Sequence, residues 1–154
     1  MANTYTQIHI HLIFAVQNRK SLIDKQWQSR LYNYIIAIIQ KHEHKVLSIG
    51  GMPDHIHILF GFRPNQSLSS LVQEVKRDSS VWINTNKLVK NKFSWQEGYG
   101  AFSYSKSHLS AVSRYIEDQS KHHAKRNFIE EYKKILDDFG IEYNDKYIFR
   151  NPEE

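Results

Sequence analysis

An α+β fold built on one four-stranded antiparallel sheet is predicted by three observations. Residues Tyr5 to Val16 and Pro53 to Phe60 alternate with a period of two, as strands with two distinct faces do. The stretches Asp24 to His42 and Ser67 to about Asn84 carry apolar residues at helical spacing. Read in order, the elements run strand, helix, strand, strand, helix, strand, which is the order of a ferredoxin-like domain. Strands one and three are central neighbours in such a domain, so side chains on the third strand are expected in the rigid middle of the sheet.

Each element has its own justification. In the first strand Ile8, Ile10, Leu12 and Phe14 share one face, and His9, His11, Ile13 and Ala15 the other. Gln17 to Lys20 is a polar turn whose cations, Arg19 among them, are candidates for phosphate contact. The first helix is capped by Asp24 and stripes Trp27, Leu31, Tyr34 or Ile35, and Ile38 along its apolar side. His42, His44 and Lys45 close it, a grouping that answers the helix dipole more readily than it binds metal. Val46 to Ile49 reads as the second strand and Gly50-Gly51-Met52-Pro53 as a tight connection. The third strand places Ile56, Ile58 and Phe60 on one face and His55, His57 and Leu59 on the other.

Ser67 caps the second helix, in which Leu68, Leu71, Val72, Val75 and Ser79 recur at helical spacing. Lys76 and Arg77 near its middle are solvent-facing or touch phosphate. Lys87 to Lys92 is a basic connector, expected to be disordered or to lie along nucleic acid. A loop from Phe93 leads into the fourth strand, which ends near Ser105. A third helix is expected from Ser107 to about His122, with Leu109, Val112, Ile116 and Gln119 in line. After a charged break from Lys121 to Asn127, a fourth helix runs from Phe128 to Phe139 and stops at Gly140. Ile141 to Phe149 is an aromatic tail assigned to packing, with a partner subunit as one surface it could meet. One domain is expected over 1–154, with a core at 1–106 and two added helices at 107–154.

Composition narrows the function. A chain of 154 residues with 40% hydrophobic and 24% charged content suits a single globular domain. It has no run apolar enough to span a bilayer and no leader pattern, so a cytoplasmic protein is expected. With no cysteine, thiolate metal sites and a cysteine nucleophile are excluded. The net charge of +5 permits an anionic partner. Nine tyrosines, eight phenylalanines and three tryptophans could stack unpaired bases, although most are expected in the core.

Two imidazoles two residues apart on a strand project side by side, so His55 and His57 can hold one divalent cation. An isolated pair of this kind is more often structural, and His9-Ile10-His11 has the same form. Spacing does not separate the two pairs. Context does, because the second follows Gly50-Gly51-Met52-Pro53-Asp54; for His9 and His11 three roles stay open, as neighbours of the site, as substrate contacts or as structural groups, with the structural role favoured. Far down the chain Tyr115 and Gln119 stand at i and i+4 of the third helix, on one face.

Together these pieces resemble the HUH single-tyrosine transposases, which move insertion sequences as single-stranded DNA. The resemblance rests on Gly50 through His57, Ser67 through Val72 with Lys76 and Ser79-Ser80, Trp95 through Phe102, and Arg114-Tyr115-Ile116 through Gln119 to His122-His123. It implies Tyr115 as nucleophile, a Mg²⁺ or Mn²⁺ ion held by His55, His57 and Gln119, and a 5′-phosphotyrosine intermediate. It further implies recognition of single-stranded DNA hairpins at element ends and a homodimer with composite active sites. Asp54 is placed to orient a ligating histidine, and Arg19, Lys76, Arg77 and Lys121 are candidate DNA contacts. No Gly-x-x-x-x-Gly-Lys-Ser/Thr loop is present, consistent with an ester exchange that needs no nucleotide.

Three other readings remain at this stage. A non-catalytic binder of single-stranded RNA or DNA would use exposed aromatics on the sheet and would need neither His55, His57 nor Gln119. A metal-independent phosphoesterase with two His-x-Ser/Thr motifs is disfavoured, since the third position is histidine in both stretches. A structural zinc site lacking thiolates is a poor closed site.

Overall fold

Alternation along β1 (His9–Ala15) and β3 (His55–Gly61) places these two strands side by side at the centre of the sheet. The computed structural model describes residues 4–119 and 127–144. β2 (Lys45–Met52) pairs with β3 and β4 (Gly100–Ser103) with β1, giving the antiparallel order β2-β3-β1-β4 expected of a ferredoxin-like sheet.

One face of the sheet is apolar throughout. Leu12, Phe14, Ile56, Ile58 and Phe60 have no exposed surface and pack against α1 (Lys25–Lys41) and α2 (Leu68–Thr85). Burying each such side chain contributes about 1.5–3 kcal/mol, so this layer dominates stability. The helices start as their sequences dictate: Asp24 Oδ1 accepts from the Gln26 amide, and Ser67 Oγ accepts from the Ser70 amide.

The opposite face mixes apolar and polar groups. It carries Ile13, Ala15 and Leu59 beside His11, His55 and His57, and it is covered by α3 (Leu109–Glu117) and α4 (Phe128–Asp138). Val112 and Ile116 of α3 pack on Leu59, while Phe128, Tyr132 and Leu136 of α4 pack with Ile13 and Phe102. An open aromatic sheet face, which a stacking platform requires, is therefore absent among the described residues.

The structure revises several expectations. Gly50 and Gly51 do not form a turn; both lie inside β2, opposite His57 and Ile56. Their small size serves close approach. A Cβ on Gly50 would stand 2.4 Å from the Ile116 carbonyl oxygen, so α3 can rest on β2 only because that position is bare. The connection to β3 is instead the two-residue turn Pro53-Asp54. The basic connector after α2 is ordered: Leu88 N donates to Ile83 O, Leu88 and Val89 pack on the core, and Asn84 bonds both backbone groups of Phe93. Within the chain, Ile141 and Tyr143 are 43% and 40% exposed. Residues 145–149 of that tail lie outside the described residues.

The third helix is shorter than its periodicity predicts. A 3₁₀ turn at Lys106–His108 leads into α3, which ends at Glu117 with Asp118 as C-cap. Acidic residues at 117 and 118 oppose the partial negative charge of a helix C-terminus, which favours a break there. Gln119 lies beyond the cap and is buried, and the expected end at His122 falls outside the described residues.

Gly50→Ala should push α3 off the sheet. The expected loss is about 1–3 kcal/mol of unfolding free energy, measured by urea titration. Gly98→Ala gives the control, since nothing lies within 4 Å of the added carbon and only its positive φ opposes it.

Candidate active site

The rigid part of the site is β3. His55 and His57 sit on the helix-covered face of the central strand, both without exposed surface. Each ring is fixed through its Nδ1 atom. Asp54 Oδ1 lies 2.7 Å from His55 Nδ1, and His11 Nε2 lies 2.8 Å from His57 Nδ1. Phe128 also stacks on His55, with centroids 4.0 Å apart. Both Nε2 atoms are thereby aimed into the space under α3 and α4.

Three side chains from the helices meet them there. Gln119 Oε1 is 3.1 Å from His55 Nε2. Glu131 Oε1 is 3.2 Å from His57 Nε2 and 3.6 Å from His55 Nε2. The Tyr115 hydroxyl donates to Glu131 Oε2, and Gln119 Nε2 lies 3.2 Å from that same oxygen. The Tyr115 ring meets His57 edge to face at 5.9 Å. All of these groups belong to one chain, so α3 brings its tyrosine to the histidines of its own sheet.

Glu131 was invisible to the sequence reading. It is one of two acids in the first turn of α4, where acids commonly answer the helix dipole, and nothing in its spacing marks it. Only docking of α4 on the sheet buries it to 2% exposure beside the imidazoles. A buried carboxylate is costly unless paired or bound to a cation. Here one donor atom from each of His55, His57 and Glu131 falls within a 4.8 Å cluster, with the Gln119 carboxamide oxygen adjoining. Two imidazoles, a carboxylate and a carboxamide form a fitting donor set for a divalent cation. The Nδ1 partners leave both Nε2 atoms as the ligating positions.

Of the roles open to it, His11 takes the one beside the site. It neighbours the site by holding His57, and its own Nδ1 is buried with no hydrogen-bond partner in the described structure. Burial, and next the adjacent His57, hold it well below the usual imidazole range against an opposing pull from Glu131, so it is neutral at neutral pH. His42 and His44 are occupied elsewhere, with Glu74 and Gln66 respectively.

The expected DNA contacts fare differently. Arg19 is only 6% exposed and lies against the Phe128 ring, which leaves it no surface to offer a phosphate. Lys76 Nζ donates to the carbonyls of Gln96 and Gly98 and so ties down the loop before β4. Arg77 remains exposed but sits on α2, across the sheet from the site, and pairs with Asp78. Lys121 lies outside the described residues.

Comparison with known proteins agrees with this geometry. A family model described as "Transposase IS200 like" matches residues 4–119. The ISDra2 transposase TnpA of Deinococcus radiodurans is 24% identical over 118 residues, covering 73% of this chain and 84% of that protein. Among solved structures, a protein from Deinococcus radiodurans assigned as a transposase superposes with a TM-score of 0.63 at 20% identity, over 77% of this chain and 95% of its own. A REP-associated tyrosine transposase bound to a REP hairpin gives 0.56 at 15% identity, over 75% and 68%. The two superpositions support the fold, and the family match spans the sheet, its histidine strand and the helix bearing Tyr115. This chain belongs to the IS200-like transposases, the single-tyrosine class of DNA transposase.

Proposed function

We propose that this protein cuts and rejoins single-stranded DNA at hairpin-marked ends of an insertion sequence, with Tyr115 as the nucleophile. The observation that carries this reading is the convergence of the Tyr115 hydroxyl and the two β3 imidazoles on the single carboxylate of Glu131. Hairpin recognition is supported by the REP hairpin bound to one structural relative. The non-catalytic binder is disfavoured, because α3 and α4 cover the sheet face it would use.

His55, His57 and Gln119 would hold the divalent cation, with Glu131 as a further ligand. Bound there, the ion would supply charge neutralisation at the scissile phosphate. Glu131 makes the donor set harder than two imidazoles and an amide alone, which suits Mg²⁺ as well as Mn²⁺. Asp54 and His11 keep the two rings in the tautomer that presents Nε2.

The remaining chemistry falls to the chain itself. A phenol with an ordinary pKa of about 10 is a weak nucleophile at neutral pH. Glu131 Oε2, already accepting its hydrogen bond, is placed to take its proton as the phenolic oxygen closes on phosphorus. The new bond joins Tyr115 Oη to the 5′ phosphate, the bond to the 3′ oxygen breaks, and the proton taken up by Glu131 passes to that oxygen to give the 3′-OH. A free 3′-OH reverses these steps on the phosphotyrosine. The ester bond is conserved, so no nucleotide is consumed.

In the chain described, Tyr115 lies with both histidines of its own sheet, and this reading takes it to act there. The homodimer implied by the family resemblance is compatible with this reading, but the exchange of tyrosines between subunits is not required by it. No described helix is long and apolar enough to cross a membrane.

Single-stranded DNA bearing an end hairpin, incubated with Mn²⁺, should give a protein–DNA adduct that survives boiling in detergent. Tyr115→Phe should abolish the adduct yet retain hairpin binding; an undiminished adduct would remove Tyr115 as nucleophile. Mn²⁺ at a hundredfold excess over its Kd should stabilise the wild-type fold by about 2.7 kcal/mol. His57→Ala should lose that gain and Glu131→Gln should reduce it, both read from urea midpoints with and without the ion. Equal stabilisation of all three proteins would refute the ligand set.

A further inference from the structure

Charge is unevenly placed on this chain. Residues 25–40 and 79–96 hold five cations and no carboxylate, and outside them cations and carboxylates balance at sixteen each, so these two stretches carry the whole net charge of +5. They are neighbours in space. Arg30 of α1 lies over the Trp82 ring of α2 at 5.7 Å, and Tyr34 meets that ring edge to face. Past Trp82 the chain leaves α2 through Lys87, whose φ of 51° ends the helix. The connector is then pinned, with Leu88 and Val89 on the core and Phe93 held by Asn84. Lys87, Lys90 and Lys92 are therefore exposed on a fixed loop, and neither they nor Arg30 forms an ion pair with a described carboxylate.

The geometry points to a second DNA contact on this outer surface, where Arg30, Lys87, Lys90 and Lys92 bind phosphates of the single strand that runs on past the cleavage point. The inference rests on the transposase reading above and adds to it a surface on the other side of the sheet from Tyr115. That surface begins where the active site ends. Trp95 bridges to Val16, the Val16 amide donates to the Asp54 carbonyl, and the Gln17 amide donates to the Ser94 carbonyl. Lys92 and the exposed Lys20 thus stand at the end of the sheet that carries Asp54 and His55. A strand leaving a phosphate held at His55 meets these cations as it rounds that end.

Two features select a single strand over a duplex. The path turns from the α3 and α4 face round the end of the sheet to the α1 and α2 face, and duplex DNA, with a persistence length of about 150 base pairs, resists so tight a turn. Half-buried Tyr34 and Trp82, with Val81 57% exposed, also give unpaired bases apolar surface beside the cations. Of the carboxylates flanking the two stretches, Asp24 is engaged as the cap of α1, and Glu97 lies beyond Trp95 in the loop before β4. Other cations on the same helices are already used: Lys41 pairs with Glu74 at 2.8 Å and Arg77 with Asp78 at 2.9 Å. Those two provide the control.

The test uses the full chain carrying Tyr115→Phe, with Mn²⁺ and fluorescently labelled end-hairpin DNA, read by anisotropy across a salt series. One DNA stops just past the cleavage point, and the other is extended there by about ten nucleotides of dT. Extension should tighten binding and steepen the fall of log K against log salt by about 3, four phosphate contacts at about 0.7 each. Lys87→Gln/Lys90→Gln/Lys92→Gln should lose about 2 of that slope together with most of the gain in affinity, and Arg30→Gln about 0.7. Lys41→Gln/Arg77→Gln should keep both gains. No gain from extension, a gain that survives the triple variant, or an equal gain with the dT annealed to dA would overturn the surface. Detergent-resistant adducts formed by the Tyr115 protein are scored separately. If they form while extension adds nothing, only the surface fails; if none forms on either DNA, the transposase reading fails and the surface with it.

Discussion

The Glu131 carboxylate, buried against the imidazoles of His55 and His57, is the contact on which the active face of this protein depends. A charge in that position is tolerable only when its oxygens are satisfied. Satisfying them draws in the Tyr115 hydroxyl from α3 and the Gln119 amide beyond its end, together with the two imidazoles of β3. One polar knot thus ties three segments of chain together between apolar patches made by Ile116 and Leu59 on one side and by Phe128 and Ile13 on the other.

The two faces of the sheet divide the work. The face under α1 and α2 is apolar and well filled, and it holds the strands rigid. The face under α3 and α4 gives up part of its apolar area to six polar side chains, His11, His55, His57, Tyr115, Gln119 and Glu131, a cost that is offset by their mutual pairing. That division explains why bare positions matter where they do. Gly50 lets the backbone of α3 rest on β2 opposite His57, and Gly100 leaves space for the Tyr132 hydroxyl of α4, where an added Cβ would stand 2.6 Å away. Burial pushes that phenol up to about 12, so Tyr132 is a packing group that stays protonated beside the proposed nucleophile's helix.

The supports behind the histidines are as informative as the site itself. Asp54 and His11 reach them from opposite directions, one from the turn before β3 and one from the neighbouring strand β1. The His9-Ile10-His11 stretch therefore has a share in the site through His11, although it is not the pair that faces Glu131. Lys76 donates to the carbonyls of the loop before β4, and Arg19 is buried against the Phe128 ring, uses that long cationic side chains find inside a fold.

Strand and helix order, the faces of β1 and β3, and the caps at Asp24 and Ser67 were legible in the sequence because each follows from periodicity or from local backbone chemistry. The histidine pair and the tyrosine were legible because their residue types and order resemble a family pattern. Glu131, the coupling of His11 to His57, the burial of Arg19 and the role of Gly50 were not. These depend on which surfaces of α3 and α4 meet the sheet, a long-range matter with no local signature. A carboxylate in a first helical turn looks the same whether it faces water or two imidazoles; only docking of the helix decides.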